Sequence, residues 1–198
     1  MVAAFGDNLT AAAESLATKV PLDSRQLDTL RSLGEALNYN AYGDTEADVM
    51  IHPRELYLKL HGFADPFEFA ATPLVQQLIA RNRDDLALAL AITPISADES
   101  KAVYRLPDAD WSRRVIGTFA NVLVRMHPHR AHAVIKENAD QTLVISVRAP
   151  LNAPFGADRL CLQFKTGGGR SAAAGIERLP LSELPEFLST FDRMRWTA

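Results

Sequence analysis

The residues best suited to chemistry lie between Thr166 and Ile176, a stretch that holds four of the ten glycines. Gly167 to Gly169 are consecutive and are followed by Arg170. Glycine loses more backbone entropy on folding than any other residue, so three in a row are a poor choice for stability alone. Uncovered N–H groups and a planar guanidinium can together hold a phosphate or carboxylate. The residues leave two interpretations open: an anion-binding loop, or a tight connection between strands with a solvated arginine.

Strands on the N-terminal side of this stretch are expected to position it. The patterns at 131–136 and 143–148 predict a β-hairpin, and alternation in its second strand places Ser146 and Arg148 on one face. We expect a further strand at 159–164, leading into a glycine loop. An amphipathic helix from about Asp110 to Met126 should precede the hairpin, and another should close the chain.

The first half of the chain is predicted to be mainly helical. Asp23 followed by Gln26 is a capping box, and prolines at the first helical position open further helices after His52, Asp65 and Thr72. We therefore predict an α+β protein, a helical half followed by a small mixed domain in which helices flank a β-sheet. The predicted domains are 1–100, a helical connector, and 101–198, separated by the irregular segment around 93–100.

Two clusters of polar residues invite a metal hypothesis, and neither has the required pattern. Asp44, Glu46 and Asp48 lack the patterning of a calcium loop and are predicted to be solvated. His127, His129 and His132 do not share one helical or strand face, so a metal site there is disfavoured.

Composition restricts the classes of function. The net charge of −3 argues against a broad cationic surface for duplex nucleic acid, although a local basic groove remains compatible with it. The single cysteine, Cys161, is predicted to be a core residue and excludes an intrachain disulfide. With no signal peptide and no membrane-spanning apolar run, we predict a cytoplasmic protein without a membrane partner.

Several of these elements together resemble the C-terminal, DHH-associated domain of the DHH phosphoesterase family. The shared features are the Ser146-Val147-Arg148 strand, the Gly167 to Arg170 run, and Ala173-Ala174-Gly175. The family includes RecJ-type exonucleases, oligoribonucleases and cyclic-dinucleotide phosphodiesterases. Its usual glycine motif ends in histidine, where this chain has Arg170. The resemblance extends over roughly residues 110 to 196.

The resemblance implies a binding site for a phosphorylated small molecule, a nucleotide or a short single-stranded nucleic acid. Its residues would be Ser146, Arg148, Gly167, Gly168, Gly169, Arg170 and Gly175. Arginine can hold a phosphate, but it cannot act as a neutral acid or base near pH 7. The resemblance leaves open whether the protein forms a homodimer.

The resemblance also shows what the chain lacks. The family's chemistry belongs to an N-terminal domain whose Asp-x-Asp and Asp-His-His motifs hold two divalent metals, Mn²⁺ or Mg²⁺, and this sequence has no Asp-His-His. Residues 1–10 resemble the last piece of that domain, with Asp7 as a remnant ligand. We therefore expect no catalytic residues and no cofactor in this chain, and no activity from the chain by itself.

Two alternatives remain. One is a stand-alone nucleotide- or nucleic-acid-binding module derived from the same domain. The other is an acyltransferase that uses acetyl-CoA, because Arg170 to Gly175 nearly matches a pantetheine-diphosphate loop although its first glycine is missing.

Overall fold

A computed structural model describes residues 1–196 of the protein. Its internal contacts divide the chain into two compact units, Met1–Leu86 and the part that begins at Ala87. This division falls inside a helix, upstream of the boundary that the sequence suggests near residue 100. The helices of the first unit and the mixed sheet of the second confirm the α+β class.

The first unit consists of helices whose starts are set by local capping. They are α1 (Val2–Gly6), α2 (Thr10–Ala17), α3 (Ser24–Tyr39), α4 (Pro53–His61), α5 (Pro66–Ala70) and α6 (Pro73–Leu90), the last of which continues past the division. The capping box at Asp23 is confirmed, since its carboxylate accepts from the Gln26 N–H at 2.7 Å. Proline stands at the start of α4 and α5, as predicted.

The acidic cluster in this unit is part of a folded turn. Asp48 is buried, and its Oδ2 accepts hydrogen bonds from the backbone N–H groups of Asp44 and Thr45 at 3.0 and 2.9 Å. The Thr45 hydroxyl donates to the same oxygen. The prediction of a fully solvated loop is therefore wrong for Asp48, because backbone donors replace water around its carboxylate.

The second unit is built on a six-stranded sheet. Its strands are β1 (Ser96–Ala97), β2 (Lys101–Arg105), β3 (Ala131–Glu137), β4 (Thr142–Arg148), β5 (Gly167–Arg170) and β6 (Ala173–Pro180). The spatial order is β1-β2-β3-β4-β6-β5, with β2 and β3 parallel and the other neighbours antiparallel. The predicted hairpin of β3 and β4 is confirmed.

Helices cover the two faces of this sheet differently. Helix α7 (Asp110–Met126) packs against β3 and β4. On the opposite face, α8 (Ala157–Cys161) packs against β5 and β6, and a 3-10 turn (Leu181–Glu183) leads into α9 (Leu184–Arg193). The main core lies on this second face, where Ile145, Val147 and Phe187 are fully buried.

The prediction of a strand at 159–164 is wrong. The chain forms α8 there, beginning after Gly156, whose φ of +103° is a conformation that favours glycine. A short apolar run such as Leu160-Cys161-Leu162 fits a buried strand and one turn of buried helix equally well, so periodicity cannot separate them. Cys161 is a core residue, as predicted, and burial raises the pKa of its thiol to about 12.

Candidate functional site

The glycine run is the edge strand of the sheet, and not the loop that the sequence predicted. Gly167 to Arg170 form β5, which pairs with β6 through a turn at Ser171 and Ala172. The serine anchors this turn, because its hydroxyl donates to Asp158 Oδ2 in α8 at 3.1 Å. The prediction failed because glycine is rare in strands, so a run of glycines indicates a loop. In this hairpin, close packing of neighbouring backbone requires glycine within a strand.

Packing accounts for two of the three consecutive glycines. A Cβ atom on Gly167 would lie 1.7 Å from the Cys161 carbonyl oxygen in α8. Gly169 has a φ of +139°, and a Cβ there would approach the Ala174 Cα to 2.4 Å. A Cβ on Gly168, by contrast, would meet no atom within 4 Å. The protein's own packing therefore does not explain why residue 168 is glycine.

Strand register brings five of the predicted residues onto one face of the sheet. Arg148 pairs with Ala173, which pairs with Arg170, and this row crosses three strands. The adjacent row is made of Ser146, Gly175 and Gly168 in the same way. Because side chains alternate along a strand, both rows face the side on which α7 lies. We call this set the basic face: Ser146, Arg148, Gly168, Arg170 and Gly175.

The other two predicted residues do not share that face. Gly167 and Gly169 alternate with Gly168 and Arg170, so Gly167 lies against α8, and a Cβ on Gly169 would meet Ala174 of β6. Gly175 belongs to the basic face but also has a packing reason, since a Cβ there would lie 2.9 Å from the Ile145 carbonyl oxygen. Gly168 is thus the member of the glycine run that combines the basic face with open space.

Helix α7 holds the guanidinium of Arg148. Its Nε donates to Asn121 Oδ1 at 2.7 Å, and its Nη2 lies 3.5 Å from the Gly117 carbonyl oxygen. From the strand side, Nη1 donates to Ser146 Oγ and to the Val147 carbonyl oxygen, both at 3.0 Å. A guanidinium fixed on several sides loses little rotamer freedom on binding an anion, which favours binding.

Arg170 contrasts with Arg148. Its side chain is exposed and makes no hydrogen bond or ion pair with any residue that the structure describes. The two arginines stand in one row with β6 between them, so their Cα atoms are about 10 Å apart at the usual strand spacing. The basic face therefore combines one fixed and one adjustable guanidinium, which together suit an anionic group lying across β6.

A buried histidine continues the row of the two arginines. His132 pairs with Arg148 across β3 and β4, is fully buried, and has no hydrogen-bond partner at either ring nitrogen. Burial lowers the pKa of His132 to about 4, and the charges of His127 and Arg130 act in the same direction. His132 is therefore neutral at pH 7, and the positive charge of this row belongs to the arginines.

No metal-binding cluster forms in the part of the chain that the structure describes. Among residues 1–196, no group of three or more His, Cys, Asp or Glu side chains could hold a metal ion. Asp7 is exposed at the end of α1. One exposed carboxylate does not fit a two-metal hydrolytic centre, so no catalytic step through metals follows from these residues.

Sequence reasoning missed Asn121 and Gly117, which contact Arg148 from α7. Both lie outside the apolar stripe from which the helix was predicted, and they are four residues apart, on one flank of it. The one available signal was Gly117, since an internal helix glycine costs stability relative to alanine and needs a reason.

The fold is that of the DHH-family phosphoesterases, which confirms the resemblance at the level of the fold. No protein-family model matches the sequence, and no curated protein matches it. None of the helices within residues 1–196 is long and apolar enough to cross a membrane.

Three solved structures illustrate the likeness. RecJ from Thermus thermophilus, in complex with Mg²⁺, has a TM-score of 0.60 at 18% identity, over 98% of this chain and 29% of that one. The DHH domain of a protein from a family of ribosomal proteins has a TM-score of 0.58 at 14% identity, over 100% of this chain and 49% of that one. PggH from Vibrio cholerae, a pGpG-specific phosphodiesterase, has a TM-score of 0.55 at 13% identity, over 82% and 55%. This chain thus spans about half or less of the proteins that it matches.

The acyltransferase alternative gains no support from this geometry. Arg170 to Gly175 form a hairpin turn and run into strand β6. A pantetheine-diphosphate loop would need to open onto the N-terminus of a helix, where backbone N–H groups are free to bind phosphate. Here the N–H groups after the turn belong to a strand that pairs on both sides.

Proposed function

We propose that this chain binds the phosphate or nucleotide part of a substrate on its basic face, as the substrate-binding portion of a DHH-type phosphoesterase. The ligand would be a phosphorylated small molecule, a nucleotide or a short single-stranded nucleic acid. Neighbouring structures include a phosphodiesterase specific for pGpG and the RecJ exonuclease, and both names fit such a ligand. The family's metal chemistry is assigned to residues that this chain does not supply.

The observation that carries this proposal is the position of Gly168. It lies on the edge strand β5, in the row next to that of the two arginines, is half-buried, and has open space where a side chain would be. Bare backbone two residues from Arg170, on the face that Arg148 shares, allows an anion to approach closely, and no packing constraint in the protein demands a glycine there.

Each member of the face has a separate role in this proposal. Arg148 gives a guanidinium in a fixed position, and Arg170 closes over the anion from the exposed edge strand. Arginine remains charged at all physiological pH values, so binding through Arg170 does not titrate as it would with the family's histidine. The chain binds and orients; we propose no proton transfer by these residues.

The direct test is binding by the full chain. We expect binding that weakens as the salt concentration rises. It can be measured by fluorescence anisotropy with a labelled oligonucleotide of about five nucleotides and by calorimetry with nucleoside monophosphates. Arg170→Ala should weaken it by roughly tenfold, the scale of one lost charged hydrogen bond. The matched control is Arg105→Ala, which removes an exposed arginine whose partner is Glu137 at 3.1 Å and which points to the opposite face. If Arg170→Ala and Arg105→Ala weaken binding equally, the basic face is not the site.

Catalysis provides a second measurement. The purified chain with added Mn²⁺ or Mg²⁺ should not cleave a phosphodiester. Cleavage that persists through purification and disappears in Arg170→Ala would show that the chain does more than bind.

The alternative of a stand-alone binding module assumes the same ligand. It differs from this proposal because it requires no catalytic partner. The substrate-binding portion should enhance or redirect hydrolysis when combined with a polypeptide that carries the Asp-His-His motif, whereas a stand-alone module should not. A hydrolysis assay with and without such a partner separates the two.

A further inference from the structure

Helix α7 contains one glycine, and the space beside it is empty. Gly117 lies in the middle of the helix, is half-buried, and a Cβ there would meet no atom within 4 Å outside its own helix. Glycine inside a helix is less stable than alanine, so packing and propensity would both favour a larger residue here. A half-buried position that the protein leaves unfilled is a place where a ligand can lie.

Gly117 is next to the basic face. Its carbonyl oxygen lies 3.5 Å from Arg148 Nη2, and Asn121, one turn later, holds Arg148 Nε. Open space therefore lies beside Arg148 at Gly117 on the helix, and again two strands away on the same face, at Gly168 in the adjacent row. The two openings lie on the same side of the sheet, because the basic face is turned toward α7.

Two donors beside this space lack acceptors. A guanidinium only donates, so the Asn121 atom that contacts Arg148 Nε is the amide oxygen, and the Nδ2 amide has no partner among residues 1–196. Ser146 is 9% exposed and accepts from Arg148 Nη1, while its own hydroxyl proton has no acceptor in the described part of the chain. Ser146 is nearly buried and Asn121 is half-buried, so both donors are available to an acceptor atom that a ligand brings into this space.

We propose that the nucleoside part of a nucleotide lies against α7 at Gly117, with acceptor atoms toward Asn121 Nδ2 and Ser146 Oγ. This inference rests on the proposed function, because it places the phosphate at Arg148 and Arg170. A nucleobase is flat and carries ring nitrogens and carbonyl oxygens that accept hydrogen bonds, which matches a bare helix surface beside amide and hydroxyl donors. Gly117 is therefore a specificity-determining position, which admits the base and makes no polar side-chain contact itself.

The test uses substitutions that separate folding from binding. Gly117→Ala should raise the melting temperature by roughly 2–4 °C, because alanine is the better helix former and has room. The same variant should weaken the binding of nucleoside 5′-monophosphates by roughly tenfold, since its methyl group occupies the space of the base. Gly117→Leu should remove that binding altogether. The control is Ser189→Ala at an exposed position in α9. This substitution also raises helix propensity, as Gly117→Ala does, but it should leave binding unchanged.

Ribose 5-phosphate is the probe that isolates the base. It carries the phosphate and the sugar, so Gly117→Ala should leave its affinity unchanged while the affinity for the nucleotides falls. Equal affinity of wild type and Gly117→Ala for every nucleotide would overturn the role of Gly117 and leave the phosphate site intact. Equal losses for ribose 5-phosphate and nucleotides would also overturn it, because the effect would not depend on the base. Failure of the wild-type chain to bind any of these ligands would refute the proposed function, and this inference with it.

Discussion

Alanine at the three consecutive glycines of β5 should give two opposite outcomes, because the middle glycine differs from its two neighbours in the space around it. Gly167→Ala places a methyl group 1.7 Å from the Cys161 carbonyl oxygen, a backbone atom that cannot move aside cheaply. Overpacking of this kind costs about 1–3 kcal/mol, and more where the backbone must shift. Gly169→Ala adds strain from its φ of +139° to an approach of 2.4 Å. Both variants should therefore lower the free energy of unfolding by about 2 kcal/mol or more.

Gly168→Ala should behave in the opposite way. Its Cβ has open space, and replacing glycine at a compatible position stabilises by about 0.4–1 kcal/mol because the unfolded chain loses freedom. The predicted difference between Gly167→Ala and Gly168→Ala is thus about 3 kcal/mol. Binding should follow a different order: Gly168→Ala weakens nucleotide binding although it does not weaken the fold.

Urea denaturation followed by far-ultraviolet circular dichroism measures the first quantity, with the slope m checked for constancy across the variants. Anisotropy with the labelled oligonucleotide measures the second. The reasoning is refuted if Gly168→Ala is as destabilising as Gly167→Ala, since the glycine run would then be needed for packing throughout. It is refuted equally if Gly168→Ala binds as tightly as the wild type.

Three further predictions concern single side chains near the sheet. Asn121→Ala should lower the free energy of unfolding by about 1–2 kcal/mol and weaken binding, because Arg148 Nε loses its acceptor; Asn121→Asp, which keeps that acceptor, should restore most of the stability. Cys161 should resist a thiol reagent at pH 8 in the folded protein and react at once in urea, because its raised pKa, about 12, and its burial are both lost on unfolding. The pKa of His132 is about 4 in the folded protein and 6.5 in the unfolded chain, so between these pH values the unfolded chain binds more protons. Neutral, buried His132 therefore costs the fold nothing above about pH 6.5, and the free energy of unfolding falls as the pH is lowered from 6.5 toward 4. His132→Phe should flatten this pH dependence between pH 4 and 6.5, as measured by urea titrations, and a wild-type profile that is already flat would contradict the argument.

The parts of the fold that depend on local chemistry could be predicted from the sequence. The capping box at Asp23 and the proline starts of α4 and α5 act within one helical turn, so neighbouring residues suffice to identify them. The hairpin of β3 and β4 follows from alternation, which also predicts the common face of Ser146 and Arg148 correctly.

The errors arise where tertiary contacts override local preference. Leu160 and Cys161 belong to one turn of buried helix, and a short apolar run does not reveal whether helix or strand will bury it. The glycine run has the composition of a loop because glycine disfavours strands, while its actual role depends on α8 passing close behind it. No sequence pattern could show that contact.

The candidate site was predictable in its strand residues and not in its helix residues. Arg148 and Arg170 share a row only because β6 lies between β4 and β5, an order that departs from the order of the chain. The contact of Asn121 with Arg148 joins residues on separate elements, and its existence depends on how α7 lies on the sheet.

The edge strand β5 also restricts how this protein can change over evolution. Packing requires its odd-numbered glycines, Gly167 and Gly169, whereas Gly168 and Arg170 belong to the basic face. The two pairs of residues can therefore change independently of each other in evolution. If the basic face binds its ligand as proposed, a point substitution at Gly168 or Arg170 should alter ligand preference without disturbing the core. An insertion or deletion of one residue would exchange the two sets at once, placing the arginine against α8 and a packing glycine on the open face. Variation in ligand preference should therefore arise here by substitution, with the length of β5 held constant.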